Sequence, residues 1–474
     1  MMVAPRPPIR SADDLRGRRT VVLGLARSGV AACRFLADAG AVVVAYDRRP
    51  ASELAEAVAA LAARPVRLAL GVDEAAAVAL LEHAELLVTS PSVSPRFNTT
   101  DRWLREALIA AEARGAELIG EVDLFLRLTR ARVLGVTGTK GKTTTSSLVA
   151  AMLDRAGIPN VLGGNIGTPL VERAGELGPD DWAILELSEL QLPTVSRGAD
   201  VALYTNIGED HLDRHGTVEA YRAVKGRLAE LTAPTGRVVL NDDDGGCRAL
   251  GERLAPVSVA WYGHAQPRRG RVEAWIDGEG WIRVAGERLL PARDVPLPGR
   301  HMLSNVLCAS LGGFLAGADA GAIGGAIADF PGVPHRLELV AERGNVRWIN
   351  DSQATIPVAA IAALEAFDAP IVLIAGGRDK GLDYRQLADA IVERTRGAIL
   401  IGETADALAG LIGDRVPVER TPDMAAAVAA ASRLAEPGDV VLLAPAAASF
   451  DMFSDYAARG DAFRAAVDEL GRGR

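Results

Sequence analysis

Gly135-Val136-Thr137-Gly138-Thr139-Lys140-Gly141-Lys142-Thr143-Thr144-Thr145 lies between an apolar run that opens at Arg130 and a helical pattern. Strand, glycine-rich turn and helix in that order make a phosphate loop, which belongs to a parallel α/β sheet. Backbone amides along Gly138, Thr139, Lys140, Gly141 and Thr144 can wrap phosphates. Lys142 can reach the outer phosphates and Thr143 can ligate magnesium. The pattern departs from the usual consensus once, because the first required glycine falls at Val136.

Downstream, the apolar run Trp182-Ala183-Ile184-Leu185 ends on Glu186. A carboxylate at a strand's C-terminal end points into the ligand crevice of an α/β fold, where a second magnesium ligand is needed. Asn206-Ile207-Gly208-Glu209-Asp210-His211 follows, and Lys225 lies fourteen residues past His211. His211 is a metal ligand or an ordinary structural histidine, and Lys225 sits in what reads as a helix. The stretch 261–290 alternates polar and apolar residues with glycine turns, which predicts an antiparallel excursion. Leu297-Pro298-Gly299-Arg300-His301-Met302-Leu303-Ser304-Asn305 opens a helix with polar groups suited to an adenine or a linker contact. The Pro-Gly-Val-Pro run near 330–335 marks a boundary. Strands are expected beyond it at 370–375, 398–401 and 440–444. Arg336 is placed to reach a transferring phosphate. Asn350-Asp351-Ser352 and Gly376-Gly377-Arg378-Asp379-Lys380-Gly381 take crevice positions in this third α/β unit.

Upstream, Thr20-Val21-Val22-Leu23 leads into Gly24-Leu25-Ala26-Arg27-Ser28-Gly29 and then a helix, the setting of a dinucleotide fingerprint. Ala26 replaces the middle glycine and puts a methyl group where a pyrophosphate would approach. The helix N-terminus still attracts an anion, and Asp47 ends the next strand, where it can meet a sugar hydroxyl. A nucleotide sugar, a nicotinamide cofactor and a pure packing role for the glycines all remain open at this point.

Composition narrows the class. The 474 residues suit three ordinary domains. A net charge of -9 argues against a general nucleic-acid binder. Cys33, Cys247 and Cys308 have no metal spacing. No apolar run reaches membrane-spanning length and no signal core opens the chain, so a cytoplasmic enzyme without membrane insertion is expected. Only Lys140, Lys142, Lys225 and Lys380 are lysines, while 48 of the 52 basic residues are arginine. Lysines that survive such a skew are candidates for chemistry that a guanidinium cannot perform.

Taken together with Gly163-Gly164-Asn165-Ile166-Gly167, Glu186-Leu187-Ser188 and His335-Arg336, these motifs occur in the order found in the muramyl ligases, and the chain is similar to that family over nearly its whole length. Its N-terminal unit and Ser449-Phe450-Asp451 most resemble the members that add D-glutamate. The resemblance implies an α/β protein of three domains. A Rossmann-like domain over 1–128 binds the UDP substrate, and a central P-loop ATPase-like domain with a parallel sheet spans 129–332. A Rossmann-like C-terminal domain over 333–474 binds the amino acid and part of ATP. It implies a ligase that joins glutamate to UDP-N-acetylmuramoyl-L-alanine through an acyl phosphate, using ATP, two magnesium ions and carbon dioxide as a lysine carbamate. Peptidoglycan precursor synthesis is the implied setting, with no nucleic-acid or obligate protein partner.

Roles follow from the same resemblance. Lys142 and Thr143 would hold ATP phosphates and magnesium, with Glu186 as a further metal ligand. Lys225, as its carbamate, and His211 would bind the second ion. Asn305 and Arg336 would contact ATP, Asp351 its ribose, and Lys380 would lie near the transferring phosphate or the incoming amino acid. Arg27, Ser28, Asp47 and Arg48 would bind the UDP end, and Asn165 and Ser188 would face the muramoyl-alanine arm. Thr355, Ser449 and Tyr456 would line the amino-acid pocket. One departure bears on that pocket: Gln353 stands where D-glutamate-adding members commonly carry a lysine, and an amide supplies no charge. L-glutamate or another amino acid is therefore the nearest alternative acceptor. A nicotinamide dehydrogenase is a distant one that leaves the phosphate loop unexplained.

Overall fold

Runs such as Val133-Leu134 and Ile184-Leu185 are buried on both faces, as the central strands of a parallel sheet must be. The computed structural model describes residues 8–209, 212–255, 258–265, 272–297 and 299–472. Strands β1 (Arg19–Leu23), β2 (Val42–Asp47), β3 (Val66–Leu70), β4 (Leu86–Thr89) and β5 (Glu117–Gly120) form an all-parallel sheet in the order β3-β2-β1-β4-β5.

A nine-stranded sheet follows, built from β6 (Arg132–Thr137), β7 (Asn160–Gly164), β8 (Trp182–Glu186), β9 (Val201–Tyr204) and β10 (Arg237–Asn241), then β11 (Val259–Tyr262), β12 (Val272–Ile276), β13 (Trp281–Val284) and β14 (Glu287–Pro291). Its order is β14-β13-β12-β11-β10-β9-β6-β8-β7. The expected antiparallel excursion is present in the β12–β13 and β13–β14 pairs, although β12 joins β11 in parallel.

The third sheet takes β15 (Glu338–Arg343), β16 (Val346–Asn350), β17 (Ile371–Gly376), β18 (Thr395–Ile401), β19 (Val418–Arg420) and β20 (Val440–Leu443) in the order β15-β16-β20-β17-β18-β19. The sequence sets Asn350-Asp351-Ser352 at a crevice position, and the structure ends β16 on Asn350. The structure adds β15, paired antiparallel with β16 through the two-residue turn Gly344-Asn345. Both turn residues have positive φ, 59° and 62°, the backbone that tight hairpins prefer.

The chain divides into two compact units, Met1–Val295 with Leu303–Ala328, and Pro296–Met302 with Asp329–Arg474. The first unit holds the first two sheets, and the third sheet forms the core of the second. No helix among the described residues is long and apolar enough to cross a membrane.

Within the first unit the helix Glu121–Leu128 links β5 to β6, and six of its eight residues are buried, two of them acids. Asp123 accepts from both N and Oγ of Ser196 at 2.7 Å and from Arg127 Nε at 2.8 Å. Glu121 has no cation in ion-pair contact among the described residues. Its Oε1 accepts from the Val171 amide at 3.0 Å, and burial pushes its pKa up to about 7 against the backbone hydrogen bonds of Val171 and Leu170 that lower it. The folded state thus holds this proton more tightly than the unfolded chain, whose carboxyl keeps the ordinary value of 4.5. Glu121 therefore costs no stability below that value. The cost builds between it and about pH 7, reaching roughly 3 kcal/mol above that. Glu121→Gln keeps the acceptor and removes the charge. The first thermal transition should rise by a few degrees at pH 8 and stay unchanged at pH 4.5. Equal shifts at both pH values would show that the charge is not the cause.

Candidate active site

The phosphate loop leaves β6 and enters the helix Lys142–Arg155. Gly138 and Gly141 have φ of 149° and 86°. Their neighbours forbid a side chain as well, since a Cβ on Gly138 would strike Thr205 Oγ1 and one on Gly141 would strike the Asn305 amide. The loop is braced from the end of β9. The Thr139 amide donates to Asn206 O and the Lys140 amide to Asn206 Oδ1, each at 3.0 Å. Lys142 Nζ donates to Gly138 O at 3.0 Å and Thr139 O at 3.1 Å. Lys225 is fully buried on the helix Val218–Thr232, and its Nζ donates to the same Gly138 O at 2.9 Å. Glu189 Oε2 lies 3.9 Å from that ammonium, and Glu189 also meets Arg214 at 3.5 Å.

Glu186 ends β8, the neighbour of β6, in register with Val136. Its Oε1 accepts from Asn165 Nδ2 at 2.8 Å, while Oε2 is buried with no partner among the described residues. Ser188 is turned into its own loop, its N and Oγ both donating to Gln191 Oε1. His211 lies outside the described residues.

In the first sheet the strand order reverses between the parallel neighbours β1 and β4, and the loops after both strands leave the same edge there. Gly24 has φ of 93°, and a Cβ on it would come within 2.9 Å of Ser90 Cβ. Gly29 allows the helix Arg27–Asp38 to pass over the Gly24 carbonyl. Arg27 is exposed and reaches Gly167 O at 3.3 Å, and Ser28 follows it in the helix's first turn. Asp47 is occupied by the chain itself: Oδ2 accepts the Leu25 amide at 2.8 Å, and Arg49 grips both carboxylate oxygens. Arg48 pairs with Asp101 at 2.6 Å, and both border an open cavity of about 730 Å³ with Tyr46 and Trp103.

The second unit has its own crevice, where β16, β20 and β17 lie side by side and their C-terminal turns converge. His335 and Leu337, on either side of Arg336, have positive φ, a strained backbone of the kind found at ligand sites. Arg336 Nε donates to Gln353 Oε1 at 3.3 Å. Asp351 accepts the Leu337 amide at 3.1 Å, and burial pushes its pKa up to about 6, against the pull of Arg336. Lys380 Nζ donates to Thr355 O at 3.1 Å; burial lowers its pKa, and Arg459 lowers it further. Ser449 is buried and Tyr456 is half-exposed.

Comparison with known proteins bears directly on this arrangement. Residues 136–312 match the Mur ligase middle domain and 335–447 match the glutamate ligase domain of the same family. The UDP-N-acetylmuramoylalanine--D-glutamate ligase of Solibacter usitatus is 39% identical over 460 residues, covering 96% of this chain and 99% of the relative. The enzyme of that name from Caldanaerobacter subterraneus is also 39% identical, over 97% of this chain and 100% of its own. The chain belongs to the Mur ligase family. The fold agrees, with a TM-score of 0.58 to the UDP-N-acetylmuramate-alanine ligase of Thermotoga maritima at 17% identity, over 96% of this chain and 99% of that one.

Mur ligases are ATP-dependent, ADP-forming and use magnesium, so the Mur ligase loop must offer that ion oxygens. The unpartnered Oε2 of Glu186 fits this need, because a buried carboxylate oxygen without a donor is costly. Among the described residues no three His, Cys, Asp or Glu side chains gather to hold a metal. Magnesium takes one or two protein oxygens and completes its shell with water and phosphate. The structure thus sets Asn165 against Glu186 at the end of β8, beside the strand that leads into the loop, and Lys225 against the loop's Gly138 carbonyl.

Three residues were missed from sequence: Arg49, Arg214 and Arg459. Nothing in an arginine-rich chain marks one guanidinium from another. Lys142→Ala removes a preorganised charge from the phosphate loop and should lower ATP turnover on the order of a thousandfold. Phosphate release measures this, with far-UV circular dichroism expected unchanged. Turnover within tenfold of wild type would remove Lys142 from the chemistry.

Proposed function

We propose that this Mur ligase joins D-glutamate to UDP-N-acetylmuramoyl-L-alanine in cytoplasmic peptidoglycan precursor synthesis. The carrying observation is the unpartnered Glu186 oxygen beside a braced phosphate loop, in a chain whose curated relatives bear that activity in their names. The domains are taken as 1–128 for the UDP substrate, 129–332 for ATP and 333–474 for the amino acid.

In this scheme the alanyl carboxylate oxygen attacks the γ-phosphorus of ATP, giving an acyl phosphate and ADP. The amine of glutamate then attacks the acyl carbon, loses a proton and expels phosphate as the amide forms. Gly138, Thr139, Lys140, Gly141 and Thr144 cradle the phosphates, and Lys142 stabilises charge on the transferred group. Magnesium, held by Thr143 and Glu186, supplies charge that offsets the repulsion between two anions. Asn305, Arg336 and Asp351 hold the rest of ATP. Arg27, Ser28, Asp47 and Arg48 hold the UDP end, and Asn165 and Ser188 face the muramoyl arm. Gln353, Thr355, Ser449 and Tyr456 line the acceptor pocket with Lys380 at its edge.

Lys225 is assigned a carbamate, formed when its neutral amine adds to carbon dioxide and releases a proton, and with His211 it would serve a second magnesium. Glu189 stands within ion-pair distance of its Nζ, at 3.9 Å. Arg214, already on Glu189, offers a positive charge to offset the new anion. Lys225→Ala should lose most activity and regain part of it with added short-chain carboxylates, read as phosphate release with D-glutamate as acceptor. Full activity in Lys225→Arg would sink the carbamate, because a guanidinium does not form one readily.

A further inference from the structure

Arg459 is among the largest fully buried side chains, and it lies outside every role assigned above. It rises from the helix Tyr456–Arg472 beneath the crevice of the third sheet. Its Nε donates to Ser352 Oγ at 3.0 Å, and one terminal nitrogen donates to Ser352 O at 3.0 Å. The other donates to Ala447 O at 3.1 Å and Ala448 O at 3.2 Å. A Cβ on Gly377 would sit 3.0 Å from that same nitrogen. One guanidinium therefore ties together the turns after β16 and β20 and sits against the turn after β17.

All four acceptors are neutral. Among the described residues no carboxylate stands within ion-pair distance of Arg459. Asp451 is the acid whose charge it feels, and Asp451 Oδ2 accepts from the Glu403 amide. Burying an unpaired cation is costly, and the cost is offset when an anion arrives. The same turns carry Gln353, Thr355, Ser449 and Lys380. Gln353 supplies no charge to an incoming side chain, and its oxygen is already bonded to Arg336.

We propose that Arg459 is a specificity-determining positioning residue, whose uncompensated charge beneath the Ser352, Ala448 and Gly377 turns selects an acceptor amino acid with a carboxylate side chain. It acts through those turns and through its field, which is weakly screened at a buried site, without touching the acceptor. The inference rests on the proposal that these turns bind glutamate.

The test compares D-glutamate with D-glutamine as acceptor, the two differing in side-chain charge, in wild type, Arg459→Gln and Arg459→Lys. Phosphate release at saturating ATP and UDP-N-acetylmuramoyl-L-alanine gives kcat/KM for each. In Arg459→Gln the preference for glutamate should fall about tenfold, chiefly through a higher KM for glutamate, with the KM for ATP within about twofold. Arg459→Lys should hold the preference within about threefold even if both acceptors bind less well. A fall in activity with the preference intact in Arg459→Gln would make the residue a structural clip and overturn the proposal. Should that variant not fold, Arg459→Lys decides: a tenfold loss of preference with the charge retained overturns it as well. A wild-type protein that does not turn over with D-glutamate would instead refute the proposed function.

Discussion

One carbonyl oxygen anchors the catalytic half of the protein. Gly138 O accepts from both Lys142 and Lys225, one from the loop's own helix and one from a helix more than eighty residues on. A carbonyl has two lone pairs and both are used, so the oxygen links the loop to the helix Val218–Thr232. This is possible only because Gly138 has positive φ and lacks a side chain where Thr205 approaches. The position of Lys225, and with it any metal chemistry there, depends on that backbone turn.

The loop is tied in a second direction through rings. Thr139 Oγ1 meets Tyr221 OH at 3.0 Å, Tyr221 packs edge-on against His215, and His215 does the same against Phe97, in the segment that follows β4. Arg214 lies over the Phe97 ring and reaches Thr99. A continuous packed path therefore joins the segment after the nucleotide-like β4 to the phosphate loop, all within the first unit. Rigid side chains of this kind hold a site more closely than a flexible charged surface would.

Charge is distributed unevenly between the units. In the first, buried acids have donors or cations: Asp123 has Arg127, and Asp47 has Arg49. At the site Glu186 has a donor on one oxygen: Oε1 accepts from Asn165, and Oε2 is buried with no partner among the described residues. In the second, the buried cation Arg459 has only neutral partners. An open carboxylate oxygen and a buried cation with only neutral partners are opposite forms of one electrostatic imbalance.

The three sheets were legible because buried parallel strands read as unbroken apolar runs and because glycine-rich turns interrupt them at fixed places. The order of motifs sufficed to show the family, and the scarcity of lysine pointed to Lys142 and Lys225 before any distance was known. The β15 strand escaped because its burial alternates weakly along an edge and its turn, Gly344-Asn345, carries the only strong local signal. Asp47 illustrates the other limit. Its place at a strand end was readable, but its saturation by Leu25 and Arg49 was not. Arg459 was invisible for the same reason: it contacts residues 11 to 107 positions away, and one arginine among 48 carries no local mark. Sequence determined which residue types stand at the strand ends, since backbone periodicity and glycine placement are local properties. Which charges are paired and which are left open was decided only by tertiary structure, because pairing depends on approach in space between segments that the chain holds far apart.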